Sequence, residues 1–290
     1  MTKRKVLCPL FGLNIQHPYF YQTKRSPIQI KKDYDDRENQ LRNGIELVDG
    51  IIIRRVTTED IKLLQTNLHF YARLFPQMFI LEKHFSVDDK FANSEIMIDI
   101  VTALRLFQGG YVSGSESIYF IETEKGDFRV SGSRISESSG RREHYPFYTL
   151  NFDDFPPLKE LIHRVQQVKI DERKHFHLAI KRFEHSYEST DIDDKLIDLM
   201  IAFEILFLKG ENIRAPTGVV MGVGCSMLLG ETEEEREDIN QVLTKAYSIR
   251  NKIVHGGTYH EPIQADKEYS IGEFVGIVED YLREAIKKLL

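Results

Sequence analysis

Tryptophan is absent from this chain of 290 residues, and cysteine occurs only as Cys8 and Cys225. Two cysteines match no metal-ligand spacing and build no disulfide framework, so we expect a reducing compartment, no metal site and no cofactor. Long hydrophobic runs are also missing. The longest nearly uncharged apolar stretch, 215–229, contains Pro216 and glycines and is too short to cross a bilayer of about 30 Å. We therefore expect no membrane span. The N-terminus lacks the apolar core of a secretion signal, which favours a cytoplasmic protein.

The overall charge excludes a generally basic, nucleic-acid-coating protein. Lys and Arg total 39 against 45 Asp and Glu, a net charge of −6. The distribution is uneven, since residues 1–32 hold seven Lys and Arg residues and no Asp or Glu. Such a run is typical of a segment that faces nucleic acid or phosphate, or of a solvated terminal arm, and we favour the arm. Any nucleic-acid site must therefore be local.

The first half of the chain mixes strand and helix patterns. Turn residues and alternating apolar residues mark the strands, and a 3.6-residue apolar period marks the helix. The predicted elements are a strand pair within 45–57, a helix over 96–107 that ends at Gly109-Gly110, a hairpin of strands 118–121 and 128–130, and a loop over 131–142. These patterns predict an α+β domain over residues 1–155, of unknown role.

Helical periodicity replaces the strand patterns from residue 157 onward. Stripes over 158–168 and 176–187 predict two helices, and a third over 191–209 is apolar nearly all round, which places it centrally in a bundle. Two capping boxes, Thr232 with Glu235 and Ser270 with Glu273, begin two more helices. The fold class is therefore α+β, with an all-α bundle over residues 156–290.

A face of small residues is predicted on the helix over 214–229. Gly218, Gly222 and Ser226 recur at intervals of four residues and so share one helix face. Small side chains let a neighbouring backbone approach closely. A phosphate-binding loop is excluded for this glycine-rich stretch, because it lacks the Lys-Ser/Thr pair of such a loop.

Residues 250–257, Arg-Asn-Lys-Ile-Val-His-Gly-Gly, combine side chains that suit acid/base chemistry on a phosphodiester. The glycine pair ends the helix and leaves His255 in its last turn, from which it can exchange protons near neutral pH. Asn251 and His255 share a helix face that Arg250 borders, so the three can converge on one bound group. Arginine recognises phosphate and histidine moves protons, which together suit metal-free cleavage of RNA.

Glu204 lies between Phe203 and Ile205 on the third, otherwise apolar helix of the bundle. A carboxylate in such surroundings should be paired, and Arg250 is its natural partner. This couple is open to two interpretations. It either prepares Arg250 for catalysis, or it is a structural ion pair in a bundle that binds without cutting.

Two segments, 194–208 and 246–257, separated by a further helix, resemble the Apea-like HEPN domains in order and in position near the C-terminus. The resemblance implies a helical bundle that dimerises so that two Arg/His sets face each other across a cleft. In active members it also implies metal-independent endoribonuclease action, often within prokaryotic antiviral or toxin systems. The helix over 214–229, with Pro216 and its glycines, departs from the alanine- and leucine-rich helix of the family.

The resemblance assigns a role to each matching position. Arg250 would bind and polarise the scissile phosphate, and Asn251 would orient it. His255 would be the acid/base, and Glu204 would hold the arginine. We add Lys252 and Arg214 as candidate substrate-binding residues.

The leading hypothesis is a cytoplasmic endoribonuclease of HEPN type, which acts on RNA as a homodimer formed through the bundle. Its N-terminal domain would control when or on what it acts. The first alternative is a non-catalytic module that binds nucleotide, RNA or protein through Arg250 and His255. The second is a toxin-like regulator whose action depends on a regulatory partner protein.

Overall fold

Strands occupy mainly the first half of the chain, and helices fill the second, which confirms the predicted α+β class. The computed structural model describes residues 3–16, 27–67, 78–85, 93–114, 117–134, 148–170, 174–208, 216–257 and 270–290. The chain divides into two compact units, residues 1–166 and 167–290. The predicted boundary between residues 155 and 156 falls at the start of helix α4 (Phe155–Ile170), whereas the structural division falls inside that helix.

The first unit is built on an antiparallel sheet with the strand order β3-β4-β5-β1-β7-β8, and β6 also pairs with β1. A separate parallel pair joins β2 to β9. The strands are β1 Arg4–Phe11, β2 Leu13–Gln16, β3 Ile45–Val48, β4 Ile51–Arg55, β5 Phe79–Phe85, β6 Ser113–Gly114, β7 Ser117–Glu122, β8 Phe128–Arg134 and β9 Tyr148–Asn151. The helices of this unit before α4 are α1 Pro27–Asn43, α2 Thr58–Asn67 and α3 Asn93–Phe107.

The predicted strand pair, helix and hairpin are confirmed. Strand β3 pairs with β4, β7 pairs with β8, and α3 is followed by Gly110 at φ +117°. The predicted loop over 131–142 is wrong for residues 131–134, which belong to β8. Ser133 lies opposite Ile118 and Gly132 opposite Tyr119, so backbone pairing with β7 outweighs the weak strand propensity of Ser and Gly. Residues 135–142 lie outside the described residues.

Strand β1 lies inside the sheet, so the terminal-arm interpretation of the basic segment is wrong for residues 4–16. β1 pairs with β5 along most of its length, and Val6 and Leu7 are fully buried. On the side of β1 opposite to β5, the pairing strand changes from β7 to β6. Pro9, which has no N–H to donate, lies at this change. Pairing with β7 ends at Leu7, and pairing with β6 begins at Leu10.

A buried ion network joins β4, α2 and β5. The Arg54 guanidinium donates to both carboxylate oxygens of Asp60, at 2.5 and 2.9 Å, and to Glu82. Burial alone would raise the pKa of Glu82, but hydrogen bonds from His84 and Arg54 lower the pKa to about 2. Contacts with Arg54 and Thr57 likewise hold the pKa of Asp60 below its ordinary value against the effect of burial. The network fixes the entry of α2 onto the sheet.

The second unit consists of helices, which confirms the predicted helical C-terminal region. They are α5 Lys174–Glu188, α6 Ile192–Phe207, α7 Thr217–Leu229, α8 Glu233–Val254 and α9 Ile271–Leu289. Both predicted capping boxes are present, at the starts of α8 and α9. None of the described helices is long and apolar enough to cross a membrane.

The predicted face of small residues is where α7 packs against α8. A Cβ atom built on Gly218 would lie 2.9 Å from Cδ1 of Tyr247, and one built on Gly222 would clash with Asn240. Both partners are on α8, and Ser226 is buried on the same face of α7. The absence of side chains at these glycines therefore permits the close approach of the two helices.

A second buried ion cluster joins α6 to α9. Glu279 bonds to the Lys195 ammonium through one oxygen and to Arg283 Nη2, at 2.5 Å, through the other. The Arg283 guanidinium also pairs with Asp280 and lies 5.8 Å from the Phe183 ring centroid. Because these charges are inside the bundle, each depends on its partner.

We expect Glu279→Gln to lower the free energy of unfolding by about 3–5 kcal/mol, because two buried cations would then face a neutral amide. The matched control is Asp280→Asn, since the Asp280 side chain is 66% exposed and its loss should cost less than about 1 kcal/mol. Urea unfolding of the purified variants measures both changes. Equal effects of the two substitutions would contradict a special role for Glu279.

Candidate functional site

Helix α8 begins and ends at well-defined caps, and its end carries the candidate residues. Thr232 and Glu235 form the capping box at its start. At its end the Gly256 N–H donates to Ile253 O at 3.0 Å and the Gly257 N–H donates to Lys252 O at 2.7 Å. Gly256 adopts φ +71°, which favours glycine, so this is a Schellman motif. The sequence Gly-Gly thus ends the helix where the chemistry-bearing residues lie.

Arg250 is held on several sides within the second unit. Its Nη1 donates to the Asn251 side-chain oxygen at 3.0 Å, and its Nη2 lies 3.6 Å from Oε1 of Glu204. Its guanidinium carbon is 5.8 Å from the centroid of the Tyr247 ring. The Nε atom is buried without a hydrogen-bond partner among the described residues. The two Nη atoms of Arg250 therefore face Asn251 and Glu204, and its Nε donor is enclosed without a partner among the described residues.

Glu204 reaches Arg250 from helix α6. The two side chains are 27% and 21% exposed, so the pair is neither fully buried nor fully solvated. The predicted pairing of these residues is present, and it connects α6 to the end of α8. The N-cap Asp191 accepts from the N–H groups of Asp193 and Asp194, which fixes the start of α6.

His255 and Lys252 are both exposed. His255 follows the last helical residue as the C-terminal cap, and its backbone N–H donates to Asn251 O at 3.1 Å. No hydrogen bond or ion pair joins its imidazole to any residue that the structure describes. No described contact joins the His255 imidazole to the Arg250 guanidinium, and predicted Arg214 lies outside the described residues.

Tyr247 is the neighbour of Arg250 that the sequence reasoning missed. It precedes Arg250 by three positions, so the two share a helix face. The spacing is one indication of their proximity, and the glycine face of α7, which packs against this turn of α8, is a second. Neither signal reveals from sequence alone that the ring lies beside the guanidinium.

No family model, no curated protein and no solved structure matches this chain. The resemblance to HEPN domains thus stays a prediction.

Within the described ranges, no three His, Cys, Asp or Glu side chains cluster in a way that could hold a metal ion. Both cysteines are buried thiols, and burial raises the pKa of Cys225 to about 12.

We expect Gly256→Ala to destabilise the end of α8 by roughly 1 kcal/mol, because an alanine is strained at a positive φ. Gly272→Ala is the matched control. A Cβ atom at either position meets no other atom within 4 Å, but Gly272 has no positive φ. Thermal unfolding and amide exchange of residues 251–255 measure the effect. An unchanged Gly256→Ala protein would contradict the Schellman motif.

Proposed function

We propose that the chain is a metal-independent endoribonuclease of HEPN type, with Arg250 and His255 acting on an RNA phosphodiester. The observation that carries the proposal is the setting of Arg250 at the end of α8. Its guanidinium is anchored by Glu204 and Asn251, and an exposed histidine follows at the helix cap. An anchored arginine suits phosphate recognition, and an accessible imidazole suits proton transfer.

The reaction needs the substrate, these side chains and water. The 2′-hydroxyl attacks the adjacent phosphorus, the bond from phosphorus to the 5′-oxygen breaks, and a 2′,3′-cyclic phosphate forms. His255 takes the proton of the 2′-hydroxyl, and the leaving 5′-oxygen takes a proton from water. Arg250 counters the negative charge that grows on the phosphoryl oxygens, and Asn251 and Glu204 orient its guanidinium.

The same proposal includes a homodimer and RNA contacts by Lys252 and Arg214. Because no described contact joins Arg250 to His255 within one chain, a second subunit would bring a histidine towards each arginine across a cleft. The exposed positions of α7 support such an interface, since all of them are apolar within the helix: Val219, Val223 and Met227. A regulatory partner protein and an antiviral or toxin-like setting stay predictions from the family resemblance.

The alternative function is a non-catalytic module that binds RNA, nucleotide or protein. Two observations favour it: the ion pair with Glu204 engages part of the Arg250 charge, and no described contact links Arg250 to His255. In that case Arg250 is a ligand contact and His255 has no chemical role. Binding without cleavage distinguishes this function from the first.

We expect wild-type protein to cleave labelled tRNA or single-stranded RNA in EDTA, and His255→Ala and Arg250→Ala to lower the rate by about 100-fold or more. His185→Ala is the matched control, because His185 is an exposed histidine on α5, away from the proposed machinery. Gel resolution of the products gives the rates, and sedimentation shows whether all variants keep the same oligomeric state.

Cleavage that survives in His255→Ala would contradict the assignment of the acid/base. Binding of RNA by wild type without cleavage, lost in Arg250→Ala, would establish the binding module instead.

A further inference from the structure

The Tyr247 ring lies beside two residues, Gly218 of helix α7 and Arg250 of its own helix α8. Gly218 of α7 is so near the ring that a Cβ atom there would come 2.9 Å from Cδ1 and 3.1 Å from Cβ of Tyr247. The Arg250 guanidinium lies 5.8 Å from the ring centroid. This distance is within the range of a cation–π interaction. The backbone of α7 and the guanidinium of α8 therefore both contact the same aromatic side chain.

Contact with the ring complements the polar contacts of Arg250. A guanidinium that packs on an aromatic ring uses its π-face, whereas its N–H donors lie in its plane and remain available for hydrogen bonds. Nη1 and Nη2 already reach Asn251 and Glu204 through that plane. The Nε donor, which has no partner among the described residues, lies in the same plane. Because the Nε atom itself is buried, an oxyanion would approach through the exposed part of the Arg250 side chain, which is 21% exposed, without displacing the ring.

The ring also restricts where the guanidinium can go. An arginine side chain loses about 2 kcal/mol of rotamer entropy when it is fixed, so an unsupported arginine meets a phosphate at a disadvantage. The ion pair with Glu204 leaves a 3.6 Å separation between heavy atoms, which does not fix the orientation of the fork alone. The ring adds a second restraint, from the preceding helical turn.

We propose that Tyr247 is a positioning residue, which holds the Arg250 guanidinium ready for a phosphate group while Gly218 leaves room for its ring. The inference rests on the proposed function in that it takes phosphate as the group that Arg250 binds. The ring is required and the hydroxyl is not, since no described residue forms a hydrogen bond with the Tyr247 hydroxyl. Tyr247 does not itself touch the substrate.

The test compares Tyr247→Leu, which removes the ring, with Tyr247→Phe, which keeps it. Phe183→Leu is the matched control, because Phe183 lies under Arg283 at the same 5.8 Å and its loss perturbs the same bundle elsewhere. Two readouts are used. The first is the Arg250 Nε–Hε resonance during titration with inorganic phosphate, assigned with Arg250→Lys. The second is the steady-state kinetics of RNA cleavage.

We expect Tyr247→Leu to raise the phosphate concentration needed to shift the Arg250 resonance by about tenfold, and to lower kcat/KM for RNA by a similar factor. Tyr247→Phe should restore both to within about twofold of wild type. Phe183→Leu should lower the Tm and leave the Arg250 resonance and its phosphate titration unchanged.

Several outcomes overturn the inference. A wild-type phosphate titration in Tyr247→Leu removes the role of the ring. A loss of phosphate response in Tyr247→Phe as large as that in Tyr247→Leu transfers the role to the hydroxyl. A phosphate titration that never shifts the Arg250 resonance of wild type also overturns it. If wild type responds to phosphate and does not cleave RNA, the proposed nuclease function fails, and the phosphate titrations of the variants still decide the role of Tyr247.

Discussion

The ion pair between Glu204 and Arg250 is the interaction on which the candidate site depends. The Glu204 carboxylate lies on the apolar helix α6, and the Arg250 guanidinium lies on the half-buried side of α8. Each charge needs a partner, and the two side chains pair with each other. Their attraction links the end of α8 to α6. The Schellman motif then ends α8 directly after these residues, so that His255 is exposed at the tip of the same helix. Charge pairing holds Arg250 beside Glu204, and the glycine geometry leaves His255 exposed where the same helix ends.

Close helix packing supports this arrangement from the other side. Gly218 and Gly222 let α7 approach α8 until the backbone of one helix meets the side chains of the other. The Tyr247 ring consequently lies between α7 and the Arg250 guanidinium. The buried cluster of Lys195, Glu279 and Arg283 fixes α6 against α9 in the same unit. Glu204 therefore lies on a helix that buried ion pairs hold against α9. Breaking those ion pairs would cost free energy, because each charge would lose its partner inside the bundle.

Local patterns made much of the fold predictable. Capping boxes, glycine turns and helical stripes depend on residues close in sequence, so the helices of the second unit and the hairpin of the first could be read directly. Strand β1 could not, because its cations and Pro9 suggest an arm, and only pairing with distant strands makes it a buried strand. The prediction of a loop at residues 131–134 was wrong for the same reason, since only pairing with β7 makes them a strand. At the site, the pairing of Glu204 with Arg250 followed from the cost of an unpaired charge, whereas the place of the Tyr247 ring depends on the packing of α7, which no local pattern specifies.

We propose that Arg250 and His255 cleave RNA through its own 2′-hydroxyl. The most direct measurement compares cleavage of one RNA pool with cleavage of the same pool carrying 2′-O-methyl groups, with wild-type protein in EDTA. We expect the unmodified RNA to be cut to products with 2′,3′-cyclic phosphate ends and the methylated RNA to be bound and left intact, because the nucleophile is blocked. Cleavage of the methylated RNA, or products that carry 3′-hydroxyl ends, would contradict it.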